Sequence, residues 1–340
     1  MYTDADLDAA ITGGAMTPEA VAAFRSFMTI RRAGPAADEE SFRFLTGFND
    51  VFVTIAVVLV LLALNWLVPF GASVAPAVTA AASWGLAEYF TRQRRMALPS
   101  IVLLLTFVSS VTIGAAILGG VVAGSDMGPS EWGLGAVTCF ATLAGAAAAY
   151  GHWRRFRVPI TVAVGTLAAA ASILSAAAWA FPSQPDLHGA IFLGTGLGIF
   201  AVAMWWDSKD RLRLTGRSDA AFWLHLTAAP LIVHPIFAGL GLLTASVPPV
   251  NALVAVGCYL VLAVVALTVD RRAILVSSLV YVLWAMQSLL AGIGTLSTAF
   301  AISALAIGSC LLLLSAFWQH TRRGVLRWVP RGVRDRVPPA

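Results

Sequence analysis

Ten long apolar runs, parted by short polar turns, take up most of this chain. They fall at about 50–67, 72–91, 99–124, 132–151, 158–181, 187–206, 220–245, 249–268, 273–291 and 295–318. Each is close to or above the ~20 residues that carry a helix across ~30 Å of hydrocarbon. Only 11% of the 340 residues are charged and 59% are hydrophobic, whereas a soluble domain carries about 25% charged residues. A folded surface in water cannot be coated from so few charges. The expectation is an all-α, polytopic transmembrane helix bundle of about ten spans over 48–318. A short cytoplasmic helical segment (1–47) precedes it and a basic cytoplasmic tail (319–340) follows. No charged stretch leading into a short apolar one opens the sequence, so no cleavable signal peptide is expected. The run at 70–91 is the least hydrophobic, rich in Ala, Ser and Gly, and the last two runs are parted only by Gly292-Ile293-Gly294-Thr295.

An even number of spans puts both termini on one side. Lys and Arg should then collect in alternate loops, on the cytoplasmic side. All 22 of them do. Arg25, Arg31, Arg32 and Arg43 precede the first span, and Arg92, Arg94 and Arg95 lie between the second and third. Arg154, Arg155 and Arg157 follow the fourth, Lys209, Arg211, Arg213 and Arg217 the sixth, and Arg271 and Arg272 the eighth. The rest are in the tail, while the opposite loops hold only the acids Asp126, Glu131 and Asp186. The net charge of +5 therefore reads as a topology signal. It is not a nucleic-acid surface, for which no aromatic-interleaved basic patch exists. Cys139, Cys258 and Cys310 lie singly inside apolar runs, with no CxxC or Cys/His spacing, and read as small buried hydrophobes.

Helices in lipid associate through close packing of small residues. Gly120 with Gly124, Gly194 with Gly198, and Ala171 with Ser175 supply such pairs. The turns Tyr89–Pro99 and Tyr150–Pro159 share an aromatic, an arginine cluster and a proline opening the next helix. They read either as copies of one helix hairpin offset by about 60 residues or as convergence on a common interfacial turn. In the N-terminal segment, Thr17-Pro18-Glu19 is a helix-start signal for an amphipathic helix over Pro18–Ile30. A shorter helix, Asp4–Ile11, precedes it and ends at Gly13-Gly14. An acidic linker at Asp38-Glu39-Glu40 and an interfacial stretch at Ser41–Phe48 follow.

Ionisable groups inside a membrane are candidates for function. Glu88 lies near the cytoplasmic end of span two, four residues before Arg92. It is either an interfacial acid paired with Arg92 or a proton-coupling carboxylate. Span seven carries His225, Pro230, His234 and Pro235. The prolines leave the carbonyls of Leu226 and Leu231 without their helical donors, and the residue before a proline avoids the helical region. A bent or unwound helix is expected, as in the substrate sites of carriers. His234 would sit near mid-membrane, binding a solute, passing a proton, or bonded across the bundle to a neighbour. Gln287, Asn65 and Asn251 are further polar groups, each a possible site member or an interhelical hydrogen-bond partner. His225 and His234 are nine residues apart, ~13 Å along a helix and on opposite faces, so no shared metal or haem is expected. No cofactor is implied. No catalytic triad, paired carboxylates, phosphate loop or HExxH is present, so an enzyme is unsupported.

The run Phe48–Val53, the stretch Ala87–Val102 and above all Phe222–Pro235 resemble a family of bacterial inner-membrane proteins with no assigned activity. The resemblance implies location and architecture and supplies no catalytic residues. Two functions follow as expectations. One is a carrier or channel for a small solute, with a water-accessible cavity reaching His234 and Gln287. The other is a non-transporting scaffold or sensor, solidly packed at that depth, whose tails engage anionic lipid or a partner. The bilayer, its anionic cytoplasmic lipids, a small solute and a second copy of the chain are the expected partners; nucleic acid is not.

Overall fold

The computed structural model describes residues 4–32, 48–67, 73–123, 131–211, 213, 216–242, 247–290 and 296–339. Among them every regular element is helical. The chain forms two compact units, Met1–Arg43 and Phe44–Ala340. The first holds α1 (Asp4–Thr12) and α2 (Pro18–Arg32). The start signal works as read: Ala20 donates its N–H to Thr17 Oγ1 at 3.2 Å, the bond of an N-cap. Gly14 takes the positive φ of 71° that turns the chain between the helices. Arg25 pairs with Asp8 at 3.1 Å, and Leu7 and Val21 are buried. The acidic linker lies outside the described residues, as does all of the Ser41–Phe48 stretch but Phe48.

The second unit runs α3 (Phe48–Leu67), α4 (Ala75–Ala87), α5 (Ala97–Ala123), α6 (Glu131–Phe156), α7 (Ile160–Ala180) and α8 (Pro185–Lys209). It continues with α9 (Gly216–Gly239), α10 (Pro249–Val269), α11 (Ala273–Leu289), α12 (Leu296–Ala316), α13 (Trp318–Trp328) and α14 (Arg331–Arg334). Eight are long and apolar enough to cross a bilayer: α3, α5 to α10 and α12. The other two expected runs are shorter as helices. One is α4, with Pro76 in its first turn, which continues through a π-helical turn over Glu88–Gln93. The other is the 17-residue α11, bounded by the Arg271-Arg272 turn. The turn Gly292–Thr295 lies outside the described residues.

The helices pack as consecutive hairpins, α4–α5, α6–α7, α8–α9 and α10–α11. Their connecting turns contain Arg95, Arg157, Arg213 and Asp270, which alone among the described non-glycine residues have positive φ, between 52° and 61°. Such a conformation costs a residue with a Cβ about 1–2 kcal/mol. It is held by the bonds that close a helix C-terminus. The N–H groups of Asp270 and Arg271 both reach Ala266 O, and Met96 N–H reaches Phe90 O at 3.1 Å. The two turns read as alike in the sequence thus share a left-handed turn residue with the two hairpin turns that follow.

The centre of the unit is α9. Half of its span is buried, against 28% or less in the other seven. Three glycines stand where a neighbouring helix comes too close for a Cβ. A Cβ on Gly196 would lie 2.9 Å from the carbonyl carbon of Leu231, one on Gly135 2.9 Å from Trp179 Cβ, and one on Gly145 would collide with Thr112 Oγ1. Gly120, Gly194 and Gly198, expected as packing faces, look into open space. Gly124 lies outside the described residues. Spacing alone does not say which side of a helix meets a neighbour.

Candidate functional site

The prolines of α9 do not break it. The helix is continuous from Gly216 to Gly239 with Pro230 and Pro235 inside, contrary to the expected discontinuity. Two hydrogen bonds are missing from the ladder, but neighbouring helices hold the segment in place. Gly196 brings the α8 backbone against Leu231, the residue whose carbonyl Pro235 deprives of a donor. Val233 and Phe237 are fully buried in a cluster with Ala252, Ala255 and Ala285 from α10 and α11.

His234 is hydrogen-bonded across this cluster, its Nδ1 2.6 Å from Tyr281 Oη on α11. Phe192 lies beside it, and Phe237 stacks on the Tyr281 ring at 5.1 Å. Gln287 is half-buried on the same helix as Tyr281, and no hydrogen bond joins it to His234 among the described residues. Asn65 is exposed on α3. Asn251 donates to Leu240 O at 3.1 Å, tying the start of α10 to the end of α9. Pro230 is exposed and Pro235 half-buried. Of the expected constellation, His234 is thus bonded to Tyr281 and Asn251 to the Leu240 carbonyl, and no hydrogen bond joins the expected residues to one another among the described residues.

The dense polar site lies at the other end of α9. His225 has no exposed surface and Asp207, near the end of α8, is 1% exposed. Asp207 Oδ2 lies 3.1 Å from His225 Nε2. Arg271, 2% exposed in the α10–α11 turn, donates Nε to Oδ2 at 3.1 Å and Nη2 to Oδ1 at 2.5 Å. It also donates Nη2 to Ser218 O at 3.2 Å. The carboxylate can only accept, so His225 carries its proton on Nε2. Its Nδ1 is buried with no hydrogen-bond partner among the described residues. The bidentate Arg–carboxylate fork is the geometry that makes a buried pair tolerable.

The neighbouring residue builds a second joint. Asp270 accepts from Trp318 Nε1 at 2.7 Å, and its carboxylate lies 3.0 Å from Arg213 Nη1 and 3.7 Å from Arg322 Nε. Arg322 is fully buried and donates to three carbonyls: Leu267 at 3.1 Å, Pro338 at 2.6 Å and Pro339 at 2.9 Å. Arg211 donates to Val337 O at 3.0 Å. Two adjacent residues, Asp270 and Arg271, therefore connect α8, α9 and the C-terminal segment. At this level Lys209 lies 3.7 Å over the Trp205 ring, a cation–aromatic pair typical of a membrane interface.

Glu88 meets Arg92 at 3.3 Å as the spacing predicts. It also takes a fork from Arg155 at the end of α6, 2.6 Å to Oε1 and 3.0 Å to Oε2. This pair is the counterpart of Asp207–Arg271. In each, an acid closing the first helix of one hairpin receives a guanidinium from the next hairpin. The acids stand at 88 and 207 and the arginines at 155 and 271, both about 120 residues apart. The first pair is half-exposed and the second buried. Asp207 was not among the sequence candidates. Its signal was there, an acid just ahead of an arginine-rich turn, as at Glu88.

Among the described residues no cluster of three or more His, Cys, Asp or Glu could hold a metal. Two half-open hollows lie elsewhere. One, of about 200 Å³, lies between Leu275 and Leu279 of α11 and Leu311 and Leu314 of α12. The other, of about 380 Å³, is lined by Thr138, Ser175, Trp179 and His188. Eight apolar helices fit a multi-pass membrane protein. No family model, curated protein or solved structure matches the chain.

Proposed function

We propose that the chain crosses the bacterial inner membrane ten times with both termini in the cytoplasm. We further propose that it is a non-transporting scaffold or sensor that acts through its cytoplasmic face. The observation that carries this reading is the double joint at Asp270-Arg271, which fastens the C-terminal segment to two hairpins. It lies at the ends where the basic residues collect. Fully buried guanidinium groups are expensive in a membrane protein, and here they fix one face of the molecule in a single shape. At the depth of His234, support comes from the Tyr281 bond and the tight cluster around Phe237.

A carrier or channel for a small solute is the second reading, with His234, Pro235, Pro230, His225, Gln287 and Asn65 as its polar groups. The unpartnered Nδ1 of His225 on the most enclosed helix favours it. Reconstituted liposomes separate the two. The scaffold reading expects an imposed proton gradient to decay equally with and without the protein. A protein-dependent decay that His234→Ala or Asp207→Asn abolishes in folded protein would overturn it and favour the carrier.

A further inference from the structure

We propose that the outward face of α13 and the segment after it bind the anionic phospholipid headgroups of the bilayer in which the chain sits. The proposal names a partner for the scaffold reading. It rests on the topology given above, which sets the end of α12 at the cytoplasmic leaflet.

The sequence alone shows a basic tail; the structure divides it into two faces. Trp318, Arg322 and Leu326 recur at four-residue spacing and are buried. Arg322 is wholly engaged with carbonyls and Asp270. In the other stripe, His320, Arg323 and Arg327 recur on α13 at spacings of three and four, which puts them on one side of that helix, and they are exposed. Trp328 ends the helix, and Arg331 opens α14 beyond the extended Val329 and Pro330; both are exposed too. Arg327, Arg331 and Arg334 make no side-chain bond to the described residues. Trp328 is 90% exposed, the highest value among the large apolar side chains of the described residues.

Asp335 is the only acid in 318–339, so the stripe has almost no internal compensation. Only Phe317, itself exposed, separates α13 from the last span. An 11-residue helix reaches ~16 Å, so α13 starts where the last span ends and its far end lies within ~16 Å of that point. Arginines flanking an exposed tryptophan directly after a span match anionic headgroups by charge and an interface by amphipathicity. The buried fastening holds these arginines in place, so binding them orders little additional chain.

The test is native mass spectrometry of the full chain titrated with phosphatidylglycerol and, separately, phosphatidylcholine. The wild-type chain is expected to retain phosphatidylglycerol on the order of tenfold or more in preference to phosphatidylcholine. The variant R323Q/R327Q/R331Q/R334Q should lose that preference, while the corresponding Arg→Lys variant keeps most of it. Far-UV circular dichroism establishes that both are folded. Equal retention of the two lipids by wild type overturns the proposal, as does an undiminished preference in the folded glutamine variant. If the glutamine variant does not fold, wild type carries the test: the preference must fall as salt rises, and a salt-independent preference overturns the proposal. Binding of an acidic protein that phosphatidylglycerol does not displace would assign the face to that partner instead. The liposome experiment is independent of these results, so loss of the lipid site and loss of the scaffold reading are told apart.

Discussion

Asp207 joins a guanidinium and an imidazole from two other elements, and all three side chains are buried. Removing one member of a buried ion pair leaves the other charge uncompensated, at a cost of about 3–5 kcal/mol. Asp207→Ala should therefore lower the unfolding midpoint in detergent sharply. Asp207→Leu combined with Arg271→Met should restore much of the loss, because it removes both charges. A double variant no better than the single would show that the pair is not the stabilising element. The His234–Tyr281 bond makes a smaller contribution. Hydrogen bonds between membrane helices average about 0.6 kcal/mol, and Tyr281→Phe should lower stability by about that amount. Gly196→Ala forces a methyl against Leu231 and should cost about 1–3 kcal/mol. Gly198→Ala, facing open space, should be neutral or slightly stabilising in the same assay.

At the scale of elements, the unit is built from hairpins closed by the same backbone device. Arg95→Gly should stabilise by up to about 1 kcal/mol, since glycine adopts that positive φ without steric cost. Thermal unfolding reads the difference. The turns were partly legible in the sequence. Arginine clusters, aromatics and prolines marked two of them as repeats. The left-handed residues were not legible, because none is glycine or asparagine, the usual signals. A bent or unwound seventh span was expected from Pro230 and Pro235, and the helix is not unwound but continuous from Gly216 to Gly239, with Gly196 and the cluster around Phe237 packed against it. The C-terminal segment is an element fastened by two side chains, Arg322 through Pro338 and Pro339 and Arg211 through Val337, with Arg322 making the larger share of the bonds. Arg322→Leu should free residues 330–339, read as faster tryptic cleavage after Arg334 and Arg336. Unchanged cleavage would contradict that fastening.

At the scale of the molecule, hydropathy and the alternation of basic loops made the helical, membrane-compatible architecture readable without a structure. Eight long apolar helices correspond to runs read in advance, and α4 and α11 correspond to the remaining two at reduced length. Which polar side chains meet was not readable. His225, Asp207 and Arg271 are up to 64 residues apart in sequence and are joined only by tertiary packing. The account stands on the division of the chain into two aqueous sides. Substituted-cysteine labelling in intact cells measures this directly, after Cys139, Cys258 and Cys310 are replaced. A cysteine at Ser183, in the α7–α8 turn, should react with an impermeant maleimide from outside, while cysteines at Arg95, Arg157 and Arg213 should react only once the membrane is opened. External labelling at any of those three arginines, or protection at Ser183, would contradict the topology on which the scaffold reading and the lipid-binding face both depend.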